Sequence, residues 1–156
     1  MMLADVLREE NIITDLRSRD KEEVLGEMVD DISPMVGQVD REKILKALLD
    51  REKLGTTGIG HGVAIPHGKI KGLPELKVFF GRSRKGVNFS SMDNLPVHLV
   101  FLILAPENSA AAHLKVLASI SHLLKSQDFR VKLMDAVDRS DIYRIITEAE
   151  KKSSFV

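Results

Sequence analysis

The sequence contains no cysteine, which excludes disulfide bonds, thiolate zinc sites and thiol catalysis. It has no excess charge of either sign, because Lys plus Arg and Asp plus Glu each number 23 among 156 residues. Balanced charge leaves no global field to hold nucleic acid or an anionic membrane. Long hydrophobic runs are also absent, since the longest, residues 99–105, falls far short of the ~20 that cross a bilayer. The acidic N-terminal residues do not fit a secretory signal, so we expect a soluble protein of the cytoplasm.

The composition that is present is typical of one globular domain, with 44% apolar and 29% charged residues. Apolar spacing predicts helices near residues 3–7, 21–33, 41–54, 110–125, 128–137 and 141–151, and strands at 11–16, 76–81, 87–89 and 97–105. The run 97–105 is nearly all apolar, which predicts a strand buried on both faces. Helices alternating with strands favour an α/β sandwich with helices on both sheet faces. We expect this domain to span residues 1–152, with a disordered tail at 153–156.

Three helix boundaries have specific signals. Asp20 and Asp40 are suited to cap helix N-termini, because their carboxylates can accept hydrogen bonds from backbone N–H groups of the first turn. Ser33-Pro34 should end the helix that begins after Asp20, since proline lacks the N–H that a helix interior needs. Gly55 should end the helix that begins after Asp40.

The most informative segment covers residues 55–68 and holds Gly55, Gly58, Gly60, Gly62 and Gly68, together with two histidines and a proline. Glycine tolerates unusual backbone angles and lets another group approach the main chain closely. We interpret the segment as a shaped loop that presents the imidazole of His67 at a defined angle. The sequence leaves two roles open for His67, a structural turn residue or a nucleophile for a phosphoryl group. The second suits a neutral imidazole, since one ring nitrogen then has a free lone pair.

Three other residues, in or outside this segment, allow more than one interpretation. His113 shares an inward helical stripe with Val116, Leu117, Ile120 and Leu124, and is either a core histidine or a donor to phosphoryl oxygens. Arg51 lies just before the glycine-rich segment and either complements the helix dipole or binds an anion through its planar fork. His61 lies between two glycines and could contact a partner, but we expect it to be a mobile loop residue.

The remaining two histidines are expected to have no part in a site. His122 falls about 180° around the helix from His113 and should face solvent. His98 begins the buried strand and should be structural. The spacing of His61 and His67 does not match a helical pair of metal ligands, and a zinc site would need tertiary contacts that spacing cannot show.

The sequence resembles the IIA proteins of the bacterial phosphoenolpyruvate-dependent phosphotransferase system, in the fructose/mannitol class and particularly its nitrogen-regulatory members. The resemblance depends on Arg-Glu-Lys-Leu-Gly-Thr-Thr-Gly-Ile-Gly at 51–60, Gly-Val-Ala-Ile-Pro-His-Gly at 62–68, Gly-Val-Asn-Phe at 86–89, Pro-Val-His-Leu-Val-Phe at 96–101, His113-Leu114, and the segment 7–16. It covers nearly the whole chain. It implies a three-layer α/β/α sandwich around a mixed parallel and antiparallel sheet, the mannitol-type IIA fold.

The resemblance also implies roles for three residues. His67 corresponds to the phosphorylated histidine, His113 to a second active-site histidine and Arg51 to a phosphate-steering arginine. The protein would then be a phosphotransferase in the sense of a stoichiometric relay with a transient phosphohistidine. Phosphoryl transfer of this kind needs positioning and electrostatics, with no metal or organic cofactor.

The partners implied by the resemblance are proteins. A histidine-containing phosphocarrier protein would phosphorylate His67, and the acceptor would be a regulated target or, alternatively, a separate IIB protein of sugar transport. A regulatory role is mildly favoured, because no IIB or membrane domain is fused to this chain. A third hypothesis is a binding module that has the fold but is never phosphorylated.

Overall fold

A mixed six-stranded sheet forms the centre of the computed structural model, which describes residues 2–37 and 39–153. Its strands are β1 (Ile12–Ile13), β2 (Gly58–Gly60), β3 (Val63–Ala64), β4 (His67–Ile70), β5 (Lys77–Val87) and β6 (Val97–Pro106). The order is β1-β5-β6-β3-β2, and β4 also pairs with β6. The β5–β6 and β2–β3 pairs are antiparallel, whereas β1–β5, β3–β6 and β4–β6 are parallel.

Helices cover both faces of this sheet, as predicted. They are α1 (Leu3–Val6), α2 (Lys21–Val36), α3 (Arg41–Lys53), α4 (Ala110–Leu124), α5 (Gln127–Asp135) and α6 (Arg139–Ser153). Helices α2 and α3 pack on one face of the sheet, while α1, α4, α5 and α6 pack on the other. None of the helices in the described ranges is long and apolar enough to cross a membrane. The expected three-layer α/β/α sandwich is confirmed.

Strand β6 connects the two cores, because its side chains alternate between them. Phe101 and Ile103 pack towards α4, whereas Val100 and Leu102 pack towards α2 and α3. Its residues from Val97 to Ala105 are buried except for the partly exposed His98. The prediction of a doubly buried strand is therefore confirmed.

Among the predicted ends that differ from the structure, two belong to helices α2 and α6. Helix α2 continues through Pro34 to Val36, because the proline removes only one hydrogen bond near the end of the helix and Val36 is buried. Gly37, with a φ of 60°, ends the helix instead. Ser153, predicted to begin the tail, is the last residue of α6, and residues 154–156 lie outside the described residues.

The glycine-rich segment is more regular than the predicted loop. It contains β2, β3 and β4, each too short for its side-chain pattern to stand out in the sequence. Strands β3 and β4 follow one another along the same edge of β6, where Val63 is opposite Leu99 and His67 is opposite Ile103. His67 is thus held at the first position of a parallel strand, between the layer of α3 and the layer of α4.

Candidate active site

The His67 ring is oriented by the backbone of its own segment. Its Nδ1 lies 2.8 Å from the carbonyl oxygen of Ile65, and the side chain is partly exposed. A carbonyl oxygen can only accept a hydrogen bond, so Nδ1 carries the proton of the neutral ring. The lone pair is consequently on Nε2, the nitrogen that points away from the Ile65 carbonyl.

Arg51 approaches that lone pair from the last turn of α3. Its Nε–H donates to His67 Nε2 at 3.2 Å, and its Nη1 donates to the carbonyl oxygen of Gly55 at 2.9 Å. The guanidinium places a positive charge beside His67 Nε2. An incoming anionic group at Nε2 would meet donors that are already in place.

His113 lies on the other side of His67, in the first turn of α4. The two rings are 5.2 Å apart between centroids and nearly perpendicular, at 75°. His113 is 8% exposed, and its Nε2 is buried without a hydrogen bond among the described residues. A buried polar atom without a partner is unusual and calls for an explanation, such as a ligand that arrives later.

The pKa of His113 is lowered from its ordinary value of 6.5. Burial of the imidazole is the main cause, and electrostatic interactions with His67 and Lys69 lower the pKa further. The ring is therefore neutral at neutral pH and has one N–H to donate.

The structure separates the other three histidines from this arrangement of Arg51, His67 and His113. His98 donates from Nδ1 to the Ser83 carbonyl oxygen at 2.8 Å, which supports the structural role expected for it. His122 is exposed, as predicted, and His61 is exposed with a φ of 58°. Within residues 2–37 and 39–153, no cluster of three or more His, Cys, Asp or Glu side chains is placed to hold a metal ion.

The sequence analysis missed a buried carboxylate next to Arg51. Glu52 is 8% exposed and accepts hydrogen bonds from the backbone N–H of Thr57 at 3.0 Å and from the Thr57 hydroxyl. Lys21 of α2 pairs with the same carboxylate at 2.9 Å. A signal was available, because Ile44, Leu48 and Glu52 follow one another at four-residue spacing and therefore share the buried face of α3.

The site reaches the surface at His67, whose side chain is partly exposed. A groove of about 590 Å³ lies between the end of α4 and helices α5 and α6, and neither His67, His113 nor Arg51 lines it. A small-molecule substrate usually occupies a concave pocket. Open access to His67 instead suits a partner that is itself a protein.

The fold defines the class of protein. The crystal structure of nitrogen regulatory protein IIA-Ntr from Neisseria meningitidis superposes with a TM-score of 0.87 and 30% identity, over 92% of this chain and 98% of that one. A complex of enzyme IIAMTL and phosphorylated enzyme IIBMTL from Escherichia coli has a chain that matches with a TM-score of 0.77 and 25% identity, over 92% of this chain and 99% of that one. This is the architecture of the mannitol-type IIA and IIA-Ntr proteins.

The sequence comparison gives the family. A nitrogen regulatory protein of Bradyrhizobium diazoefficiens is 42% identical over 146 residues, which are 94% of this chain and 95% of that protein. Residues 5–149 match the family described as "Phosphoenolpyruvate-dependent sugar phosphotransferase system, EIIA 2". The chain belongs to this family, and it is a phosphoryl-transfer component of the phosphotransferase system.

Proposed function

We propose that His67 is the residue that carries the phosphoryl group, on Nε2. The observation that carries the proposal is the hydrogen bond from Nδ1 to the Ile65 carbonyl, which leaves Nε2 as the nucleophilic nitrogen with Arg51 beside it. An imidazole with a fixed tautomer needs no base to activate it, because its lone pair is already available.

The transfer step is a displacement at phosphorus. The Nε2 lone pair of His67 attacks the phosphorus of a phosphohistidine on a small carrier protein, and a new N–P bond forms. The N–P bond of the donor breaks, and its electron pair returns to the donor imidazole. The proton of His67 stays on Nδ1, hydrogen-bonded to the Ile65 carbonyl oxygen, and the donor ring keeps a proton on its other nitrogen and leaves as neutral imidazole, so the step requires no net proton transfer.

Arg51 and His113 stabilise the charge that is spread over the equatorial phosphoryl oxygens during this step. Arg51 exchanges its contact with Nε2 for contacts with two phosphoryl oxygens, which its planar fork matches. His113 donates an N–H from the opposite side, and the phosphoryl group supplies the partner that its buried Nε2 lacks.

The acceptor that we propose is a regulated protein target, as in a nitrogen-type IIA protein. The 42% identity with a nitrogen regulatory protein over almost the full length of both chains supports this role. Phosphorylation adds about two negative charges to the surface at His67, which would change the set of proteins that can dock there. The cytoplasmic location is part of the same proposal.

The alternative acceptor is a separate IIB protein of sugar transport. Two observations favour it, namely the sugar phosphotransferase description of the family and the structural likeness to enzyme IIAMTL in its complex with phosphorylated enzyme IIBMTL. A purified IIB protein encoded near the gene for this chain would accept phosphate quickly from phosphorylated His67 under this alternative, and would not do so under the regulatory one.

The proposal is tested by incubating the protein with the general phosphotransfer enzymes and phosphoenolpyruvate. Intact-mass measurement should show an acid-labile, base-stable gain of about 80 Da, the mass of one phosphoryl group. Alanine at position 67 should abolish the gain, while His122→Ala should retain it. A wild-type protein without the gain would leave the binding-module hypothesis in place.

A further inference from the structure

The carboxylate of Glu52 is buried, so the free-energy cost of removing it from water must be offset by its contacts. Taking a carboxylate out of water is costly unless its oxygens find hydrogen bonds and a counter-charge. Glu52 has both: two donors from Thr57 and the ammonium of Lys21. These contacts between Glu52, Thr57 and Lys21 are called the Glu52 clasp below.

The Glu52 clasp closes the chain between α3 and β2. Glu52 is in the last turn of α3 and Thr57 directly precedes β2, so their contacts bring the two ends of residues 53–56 together. The Gly55 N–H donates to the Glu52 carbonyl at 3.1 Å, which fixes the turn further. Gly55 has a φ of 148°, a backbone angle that other residues rarely adopt.

This turn holds Arg51. The Gly55 carbonyl oxygen accepts the hydrogen bond from Arg51 Nη1 at 2.9 Å, so the guanidinium is anchored at one end while its Nε–H faces His67 at 3.2 Å. Arginine loses considerable side-chain entropy when it is held in one conformation. A fixed carbonyl acceptor reduces the entropy that must be lost when phosphate arrives, and thereby orients the fork in advance.

We infer that Glu52 is a positioning residue for phosphoryl transfer, which acts by fixing the Gly55 turn and, through that turn, the Arg51 guanidinium. The inference rests on the proposed role of His67 and adds to it a residue that touches neither the imidazole nor the phosphoryl group. A purely structural role would also keep Glu52 buried, but it would leave the transfer rate of the folded protein unchanged.

The decisive comparison is between Glu52→Gln and Asp50→Asn. Both substitutions remove one negative charge from the last turns of α3, so any long-range effect of charge on Arg51 is similar in the two variants. Asp50 faces solvent with 48% of its side chain exposed, and pairs with Lys46 and Lys53. Only Glu52→Gln weakens the Glu52 clasp.

A second pair isolates the Thr57 hydroxyl. Thr57→Val removes the hydroxyl and keeps the side-chain shape, so we expect it to resemble Glu52→Gln. Thr57→Ser restores the hydroxyl and should behave as wild type. This pair still decides the question if Glu52→Gln fails to fold.

Two measurements are made on each folded variant. The first is single-turnover phosphorylation of His67 by the phosphorylated carrier protein, for which we expect Glu52→Gln and Thr57→Val to be about tenfold slower than their controls at saturating donor, as for a misplaced catalytic group. The donor concentration at half-maximal rate should stay the same. The second is the NMR signal of the Arg51 Nε–H in the unphosphorylated protein, which should exchange with water faster in the same two variants.

Each result bears on a different claim. A wild-type protein that is not phosphorylated would defeat the proposed function, and the Arg51 signal alone would then decide whether the Glu52 clasp holds the guanidinium. Normal phosphorylation with equal rates in Glu52→Gln and Asp50→Asn, or an unchanged Arg51 signal in Glu52→Gln, would overturn the inference about Glu52.

Discussion

At the scale of single residues, the site depends on how three side chains divide their hydrogen bonds. His67 donates from Nδ1 to the Ile65 carbonyl and accepts at Nε2 from Arg51, which also donates to the Gly55 carbonyl. His113 contributes a buried ring whose Nε2 has no hydrogen-bond partner in the part of the chain that the structure describes. In the proposed mechanism, His67 and Arg51 are in position before a phosphoryl group arrives, whereas His113 gains its hydrogen-bond partner only when the group is bound.

The first residue-scale prediction concerns His113. We expect His113→Ala to fold and to slow onward transfer from phosphorylated His67 by about 10²-fold, because removal of one donor to a transition-state oxygen has an effect of this size. Rapid-quench kinetics with a fixed acceptor measures the change. His122→Ala on the exposed face of the same helix should transfer at the wild-type rate, and an equal rate in His113→Ala would reduce His113 to a packing residue.

The second concerns pH and follows from the lowered pKa of His113. The unfolded chain takes up a proton on this histidine near its ordinary pKa of 6.5, whereas the folded protein takes it up only at lower pH. The unfolded state therefore binds more protons in that window, and the stability falls as the pH drops below 6.5. Urea unfolding at pH 7.5 and 5.5 should show a larger loss for wild type than for His113→Gln, and equal losses would contradict the burial argument.

His67, His113 and Arg51 could be named as candidate site residues from the sequence because each lies in a motif or a periodic stripe. Glu52 was missed, although the stripe of α3 placed this residue on the buried face, because a charge in a helix end usually faces solvent. The contact between Arg51 and the Gly55 carbonyl could not be predicted from spacing, since it depends on the backbone angles of the turn.

At the scale of elements, β4 is positioned by close packing on α3. Gly68 faces Ala47, and a Cβ at position 68 would lie 3.3 Å from the Cβ of Ala47. The strand therefore packs closely on α3, and His67 lies within reach of Arg51 at the end of the same helix. Any side chain at position 68 would increase the distance between these two elements.

This packing predicts a reciprocal rescue. Gly68→Ala should cost about 1–3 kcal/mol through overpacking and should slow phosphorylation of His67, because β4 moves away from α3. Adding Ala47→Gly removes the Cβ that the new side chain contacts, so the phosphorylation rate should recover. The double variant should still be about 0.5–1 kcal/mol less stable than wild type, because glycine is unfavourable inside a helix. Urea unfolding and single-turnover kinetics on the two single variants and the double variant measure both effects. No recovery in the double variant would mean that contact with Ala47 does not set the position of β4.

A second element-scale prediction concerns the end of α5. Arg82 of β5 is 1% exposed, and its Nη1 donates to the carbonyl oxygens of Leu133 at 2.9 Å and Ala136 at 2.7 Å. Arg82→Met should lower the free energy of unfolding by about 1–3 kcal/mol, because buried carbonyls lose their donor. The side chain of Arg84 is 54% exposed and its hydrogen bond from Nη2 to the Ala136 carbonyl is long, at 3.4 Å, so Arg84→Met should stay within about 0.5 kcal/mol of wild type. Similar urea midpoints for the two variants would rule out this role of Arg82.

The same arginine explains why the element boundaries were only partly predictable. The polar residues 82–85 do not predict a buried strand, so the second half of β5 was missed. Arg82 can be buried there because backbone carbonyls accept its hydrogen bonds, and these contacts cannot be read from the sequence. The helices with strong apolar stripes, such as α3 and α4, were predicted almost to the residue. The two- to four-residue strands β2, β3 and β4 are held by pairing to β6 or to each other, which is tertiary information.

At the scale of the whole molecule, the balance of charge makes phosphorylation easy to observe. The formal net charge of the unmodified protein at pH 7 is zero. A phosphoryl group adds about two negative charges, so the phosphorylated form would have a net charge of about −2. Native electrophoresis at pH 8 should separate the two forms, with the phosphorylated protein nearer the anode. Brief acid treatment should return the band to its starting position, and His67→Ala should show no second band. A mobility change that persists in His67→Ala would point to a different modified residue.

The distribution of the three side chains over three layers has a further consequence. Arg51 comes from a helix on one face of the sheet, His113 from a helix on the opposite face, and His67 from a strand between them. A molten globule that keeps its helices but has lost the docking of its layers would scatter these groups and have no phosphorylatable centre. Only protein with native tertiary packing could then be phosphorylated on His67, so partly unfolded molecules would not take part in phosphoryl transfer.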